Sequence, residues 1–232
     1  MYDDNNPSEA PVNPVAPVIV LIFIVMIGIE GIFSLGSSGL IGGAQAVGWR
    51  LGALNDYAFS SAFLDYMLQT GDLSPRYAMR LVTYSFVHAS FQSALIGGVM
   101  FLALGKFVGE AMKAPGLIAL FLLTTFGAAL VFGLVAPEGD WLMGAFPATY
   151  GMIGAYSYIL WIYYRAVGQN QIAAFRLIGI LMALQLLFGL FFQTGLSWVA
   201  ELAAFVIGFA LAPLLLPGGF ARLRDKLRQR QR

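Results

Sequence analysis

Few residues in this chain can do chemistry, and most of them sit in apolar surroundings. Glu201, in AELAAFVIG, separates two long uncharged runs. A carboxylate buried in such a run is costly and marks a functional group by default. Ser90, Ser93 and Thr149 place hydroxyls near the ends of two further apolar runs, and His88 is the single histidine. One chemistry open to this set is a relocated nucleophile–base pair, Ser93 with Glu201. Another is an ion or proton path through Glu30 and Glu201, although the inverted repeat and broken helices expected of a transporter are not evident. A third is structural. A helix start favours negative charge, and Ser93 or Tyr150 would supply a hydrogen bond to Glu201. His88 reads as a structural group. With no cysteine and one histidine, disulfides, thiol nucleophiles and Cys-ligated or His-rich metal sites are excluded. No metal or cofactor is expected.

The elements that must position these groups are membrane helices. The chain has 232 residues, 59% hydrophobic and 11% charged, too apolar for a soluble domain of this size. Six stretches lack Asp, Glu, Lys and Arg: Ala10–Ile29, Leu81–Gly105, Ala114–Pro137, Trp141–Tyr164, Leu177–Ala200 and Leu202–Ala221. Each is 20 to 25 residues long, and a helix needs about 20 to cross the hydrocarbon core. The fold class is therefore an all-α membrane protein with six spanning helices. They are expected at about Pro17–Leu35, Phe86–Met112, Pro115–Val135, Ala148–Ala166, Ile172–Phe192 and Ser197–Leu216.

Three regions follow. Residues 1–16 read as a disordered tail broken by Pro7, Pro11 and Pro14. Residues 17–216 form the membrane domain, and 217–232 form a basic tail. The acidic, proline-rich leader has no basic segment before its apolar run, so no signal peptide is expected. Between the first two helices lies a long segment, Gly36 to about Tyr77, whose WRLGALNDYAFSSAFLDYMLQ suits a helix in the membrane interface. Trp49, Tyr57, Phe59, Phe63 and Tyr66 are expected to form an aromatic belt there. Glu30 is expected near Arg50 or Arg80. Small residues four apart, Gly105–Gly109, Gly151–Ala155 and Ala204–Gly208, would let helices of the same chain approach closely.

Charge orients the bundle. Lys106, Lys113, Arg165, Arg176 and the six basic residues from Arg222 to Arg232 fall on the side of the termini, ten of thirteen in all. The positive-inside rule then predicts both termini in the cytoplasm. Arg50, Arg76 and Arg80 lie in the long first loop, on the other side. The basic tail is an orientation signal and would also hold anionic lipid.

Three segments together resemble the rhomboid family of intramembrane serine proteases. In RLVTYSFVHASFQSALIGGVMFLALGKFVGE, Arg80, Phe86, His88 and Gly105 match the family pattern of W-R, F-x-H, a second His, Asn and G-x-x-x-E. Met79 takes the Trp position, Ser93 the second His and Gly97 the Asn, while Glu110 falls one residue late. In GAFPATYG, Gly144, Ala145, Tyr150 and Gly151 match the family's nucleophile segment, but Phe146 stands at the serine and Pro147 at the next glycine. In the last helix Ala200, Ala204 and Gly208 match, and Glu201 stands at the catalytic histidine.

The resemblance implies a six-helix rhomboid-like bundle with an interfacial first loop, in the bacterial cytoplasmic (inner) membrane. It implies no catalytic residues, because Phe146, Glu201, Ser93 and Gly97 are degenerate positions. Arg80, His88, Gly105, Ala204 and Gly208 would then be structural. Ser93, Phe146, Tyr150 and Glu201 would line a cavity that binds rather than cuts. The expected partners are the lipid bilayer and another membrane protein or its transmembrane segment, held between the second and fifth helices or on the first loop; no nucleic acid is expected.

Overall fold

The computed structural model describes residues 14–191 and 195–219. The N-terminal tail up to residue 13 and the basic tail from 220 lie outside the described residues. Helix α1 spans Pro17–Ser37. Its first position is a proline, which loses no hydrogen bond there and has its φ preset for a helix. The first loop holds a 3-10 turn at Gly43–Gly48 and then α2 (Trp49–Tyr57), β1 (Phe59–Ser60), α3 (Ser61–Thr70), α4 (Pro75–Ala78) and α5 (Arg80–Thr83). A second 3-10 turn, Tyr84–Phe86, precedes α6 (Phe91–Ala111). Then come α7 (Ala114–Val135), β2 (Trp141–Leu142), α8 (Phe146–Ala166), a 3-10 turn at Gln171–Phe175, α9 (Arg176–Phe191) and α10 (Ser197–Leu215).

Four of these, α1, α6, α7 and α10, are long and apolar enough to cross a membrane. Helix α8 is as long as α6, at 21 residues, but Tyr150, Tyr156, Tyr158, Tyr163 and Tyr164 lower its hydropathy. Helix α9 covers 16 residues. The second long helix starts at Phe91, five residues later than the expected start at Phe86. Ser90 sets this start, since its Oγ accepts the Ser93 N–H at 3.2 Å, and such a cap satisfies a backbone donor that the helix leaves unpaired.

Helix α8 is the hub. Its residues Pro147–Ala155 are buried without a break, and α10, α7 and α6 all pack on it. The α8–α10 seam is backbone against backbone. A Cβ on Gly208 would overlap the Gly151 carbonyl, and one on Gly154 would overlap the Phe205 carbonyl. Helices in lipid gain little by burying apolar area and associate through such close packing. The α1–α6 seam uses the same device, with Ile19 seated on Gly105 and Ala16 near Gly109. The small-residue motifs therefore serve contacts within the chain.

The first loop differs from a single interfacial helix. Strands β1 and β2 pair antiparallel, Phe59 opposite Leu142 and Ser60 opposite Trp141. Phe59 is fully buried, with its ring edge-on to Phe132 at 6.5 Å. Leu64 covers Gly133, and Ser61 Oγ donates to the Pro137 carbonyl at 2.9 Å. Phe59 of the expected aromatic belt is thus bundle core, and Phe63 is half-buried. Trp49, Tyr57 and Tyr66 remain exposed. Phe63 lies under Arg80, whose guanidinium carbon is 4.2 Å from the ring centroid. Arg80 also donates to the Ala58 carbonyl (2.9 Å) and the Arg76 carbonyl (3.2 Å), fastening the loop to itself. Burial lowers the Arg80 pKa, with the nearby Asp56 charge opposing that shift. Glu30 pairs with Arg50 and accepts from Ser34 Oγ at 3.1 Å.

Candidate functional site

The loop ahead of α8 reaches the site through a two-point clamp. Gly144 N–H donates to the Tyr84 carbonyl at 2.8 Å, and Ala145 N–H donates to His88 Nε2 at 3.1 Å. Gly144 has φ +89°, a left-handed conformation that glycine adopts without steric cost. A Cβ at this position would also press on the His88 ring, 3.1 Å from Cδ2. His88 is fully buried. Because Nε2 accepts, the ring is neutral with its proton on Nδ1, which faces the Phe86 backbone without a hydrogen bond of normal geometry. Burial lowers the His88 pKa to about 4, against a smaller opposing effect of the Phe86 backbone. Tyr84 completes the clamp. Its hydroxyl donates to the Thr125 carbonyl of α7 at 3.0 Å, and burial raises its pKa well above the usual phenol range.

Beyond the clamp, α8 starts at Phe146. Its ring lies beside Gly97 of α6, with Cε2 3.8 Å and Cδ2 3.9 Å from where a Cβ on Gly97 would stand. The Ala145 methyl is 3.4 Å from the same point. A methyl at 97 would make ordinary contact there, and a side chain longer than a methyl would compete with this ring for space. One turn on, Thr149 Oγ1 donates to the Ala145 carbonyl at 3.0 Å and reaches the Gly97 carbonyl at 3.3 Å. The α6–α8 contact is therefore closed by an aromatic ring and a threonine hydroxyl.

One turn beyond Phe146 on α8, Tyr150 hydrogen-bonds the Glu201 carboxyl group of α10. Both side chains are buried, each about 4% exposed. The phenol O–H donates and a carboxyl oxygen accepts. Of the two donors expected for Glu201, Tyr150 is the one this geometry supplies. Ser93 is half-buried, and its backbone N–H serves the cap of α6. Of the four residues predicted to line a cavity, Phe146 lies beside Gly97 of α6 and Tyr150 meets Glu201. Among the described residues no cluster of His, Asp and Glu would hold a metal ion.

The His88–Ala145 bond is the piece that sequence reasoning misses. Its one signal in the sequence is Gly144, a glycine directly ahead of the apolar helix.

Comparison with known proteins gives one match and one negative. The rhomboid domain family model matches residues 75–218, which include the clamp, Gly97, Phe146, Tyr150 and Glu201. No curated protein matches the chain.

Proposed function

Since this chain belongs to the rhomboid family, we propose that it is a rhomboid-like membrane protein that keeps the family's bundle, lacks its proteolysis and acts by binding membrane proteins through their transmembrane segments. The observation that carries the reading is Phe146. At the position aligned with the nucleophile there is no hydroxyl, and the ring occupies the space next to Gly97, the position aligned with the family's asparagine. A serine–base mechanism needs a nucleophile and a base within hydrogen-bond reach, with donors aimed at the oxyanion. Here the base position is a carboxylate already bonded to Tyr150, and Pro147 brings no backbone N–H.

In this reading the clamp on Gly144 and Ala145, with Gly151, Ala204 and Gly208, is retained framework. Six helices span the bacterial cytoplasmic membrane, α1, α6, α7, α8, α9 and α10, with both termini in the cytoplasm. A client helix would lie against α6, whose Phe91, Leu95, Ile96 and Val99 are exposed, on the side of α9.

The test is cleavage of a generic rhomboid transmembrane substrate by the purified protein in liposomes, beside an active rhomboid. We expect no product here and product in the control. Cleavage that is lost in Ser93→Ala or Glu201→Gln would replace this reading with a relocated active site.

A further inference from the structure

A second feature, away from the site around α8, involves α1 and the first loop. Helix α2 is tied to the bundle at two points. Arg50 pairs with Glu30 and Ser34 of α1, and the Tyr57 carbonyl accepts from Thr83 Oγ1 at 3.0 Å. Between these ties runs a hollow of about 490 Å³. Val25, Ile29 and Phe33 of α1 form one wall, and Ala53, Phe86 and Val87 form the other. The wall is almost entirely carbon, and the hydroxyl of Thr83 is already used on Tyr57.

We propose that this hollow holds one acyl chain of a membrane phospholipid. Three observations select that occupant. The hollow lies within the membrane-spanning helix α1, at Val25–Phe33 of Pro17–Ser37. It is continuous with the lipid-facing surface, since Val25 and Ile32 line it and are themselves 40% and 50% exposed, next to exposed Leu21 and Ile24. Its size also fits a chain better than a helix. One turn of an α-helix, about 10–12 Å across and 5.4 Å tall, fills roughly 400–600 Å³, so a spanning helix would place no more than a turn inside. An extended hydrocarbon chain could follow the wall from Val25 to Phe33, about 12 Å at the helical rise. Arg50 ties α2 to α1 and Tyr57 ties it to α5, and the chain's own side chains do not fill the space between these ties. An unfilled gap would forfeit the dispersion contacts of its walls.

The full-length protein can be reconstituted in palmitoyl-oleoyl phosphatidylcholine vesicles carrying a trace of phosphatidylcholine with a diazirine near the end of one acyl chain. After irradiation, labelled peptides are mapped by mass spectrometry. Labelling of residues 25–33 and 83–87 should exceed that of the exposed α7 face at Ile118 and Leu122 by roughly tenfold, a preference of about 1.4 kcal/mol. Filling the hollow from either wall, with Ala53→Phe or Ile29→Trp, should bring the label down to the α7 level. Equal labelling of the hollow and the α7 face in the unaltered protein would overturn the proposal, and that comparison needs no variant to fold. So would undiminished label in both filled variants, or displacement of the label by an added transmembrane peptide, which would assign the hollow to a helix.

Discussion

At the scale of single residues, three buried polar side chains, Tyr150, Glu201 and His88, set what the site around α8 tolerates. Tyr150 supplies the hydrogen bond to Glu201. Removing one partner of such a pair strands the other, which costs about 1–3 kcal/mol, whereas replacing both by apolar groups of similar shape is nearly neutral. Tyr150→Phe should therefore lower the thermal midpoint in detergent, Glu201→Gln should lower it less, and Tyr150→Phe with Glu201→Leu should recover part of the loss. Additive losses in the double variant would show that the two residues act independently. His88 gives a pH signature instead. Its folded pKa is about 4, against about 6.5 for an unperturbed imidazole. Between these values the unfolded chain binds a proton that the folded chain refuses. The His88 contribution is thus fully present above pH 6.5 and is lost as the pH falls toward 4, by an amount on the order of 3 kcal/mol at the limit. Unfolding midpoints from pH 7 to 4.5 should fall more steeply in the unaltered protein than in His88→Gln. Parallel curves would mean that His88 keeps an ordinary pKa in the fold.

At the scale of elements, glycine positions separate packing seams from lipid-facing surface. A Cβ at Gly208 meets the Gly151 carbonyl, whereas one at Gly28 of α1 meets nothing within 4 Å. Gly208→Ala should force α8 and α10 apart and cost about 1–3 kcal/mol, and Gly28→Ala should be neutral or slightly stabilising. Chemical-denaturation midpoints of the two variants in the same detergent decide this, and equal effects would count against the seam. The same contrast explains what could be read from the chain beforehand. The helix bounds expected from the sequence agree with α1, α7, α8 and α10 to within two residues, because long apolar stretches between polar connections mark the helices. The start of α6 is missed, because Ser90, a local cap, decides it. The first loop is misread in part, because Phe59 and Leu64 look like interfacial anchors until β1 pairs with β2 and turns them toward Phe132 and Gly133. For the site, the sequence offers Tyr150 as a donor to Glu201 but does not say whether Phe146 turns in or out. That depends on the bare surface that Gly97 presents from another helix.

At the scale of the whole molecule, the open question is which end faces which compartment. Pairing of β1 with β2 puts the first loop and the α7–α8 connection at one end of the bundle, so a single orientation assigns both. The basic residues that the charge rule counts, Lys106, Lys113, Arg165 and Arg176, lie at or beyond the opposite ends of α6, α7, α8 and α9 by helix order. An excess of Lys and Arg near helix ends retains a loop in the cytoplasm. The β-paired end should then face outward. The chain contains no cysteine, so a single introduced thiol reports without background. Leu73→Cys in the first loop and Gly139→Cys between α7 and α8 should react with a membrane-impermeant maleimide added to intact cells. Gln169→Cys, in the short connection after α8, should react only once the membrane is opened. Labelling of Gln169→Cys in intact cells, with the two loop thiols protected, would invert the bundle and point any client-binding surface at that end toward the cytoplasm. Mixed labelling of Leu73→Cys and Gly139→Cys would contradict the β1–β2 pairing itself, because one end of a folded bundle cannot face both compartments.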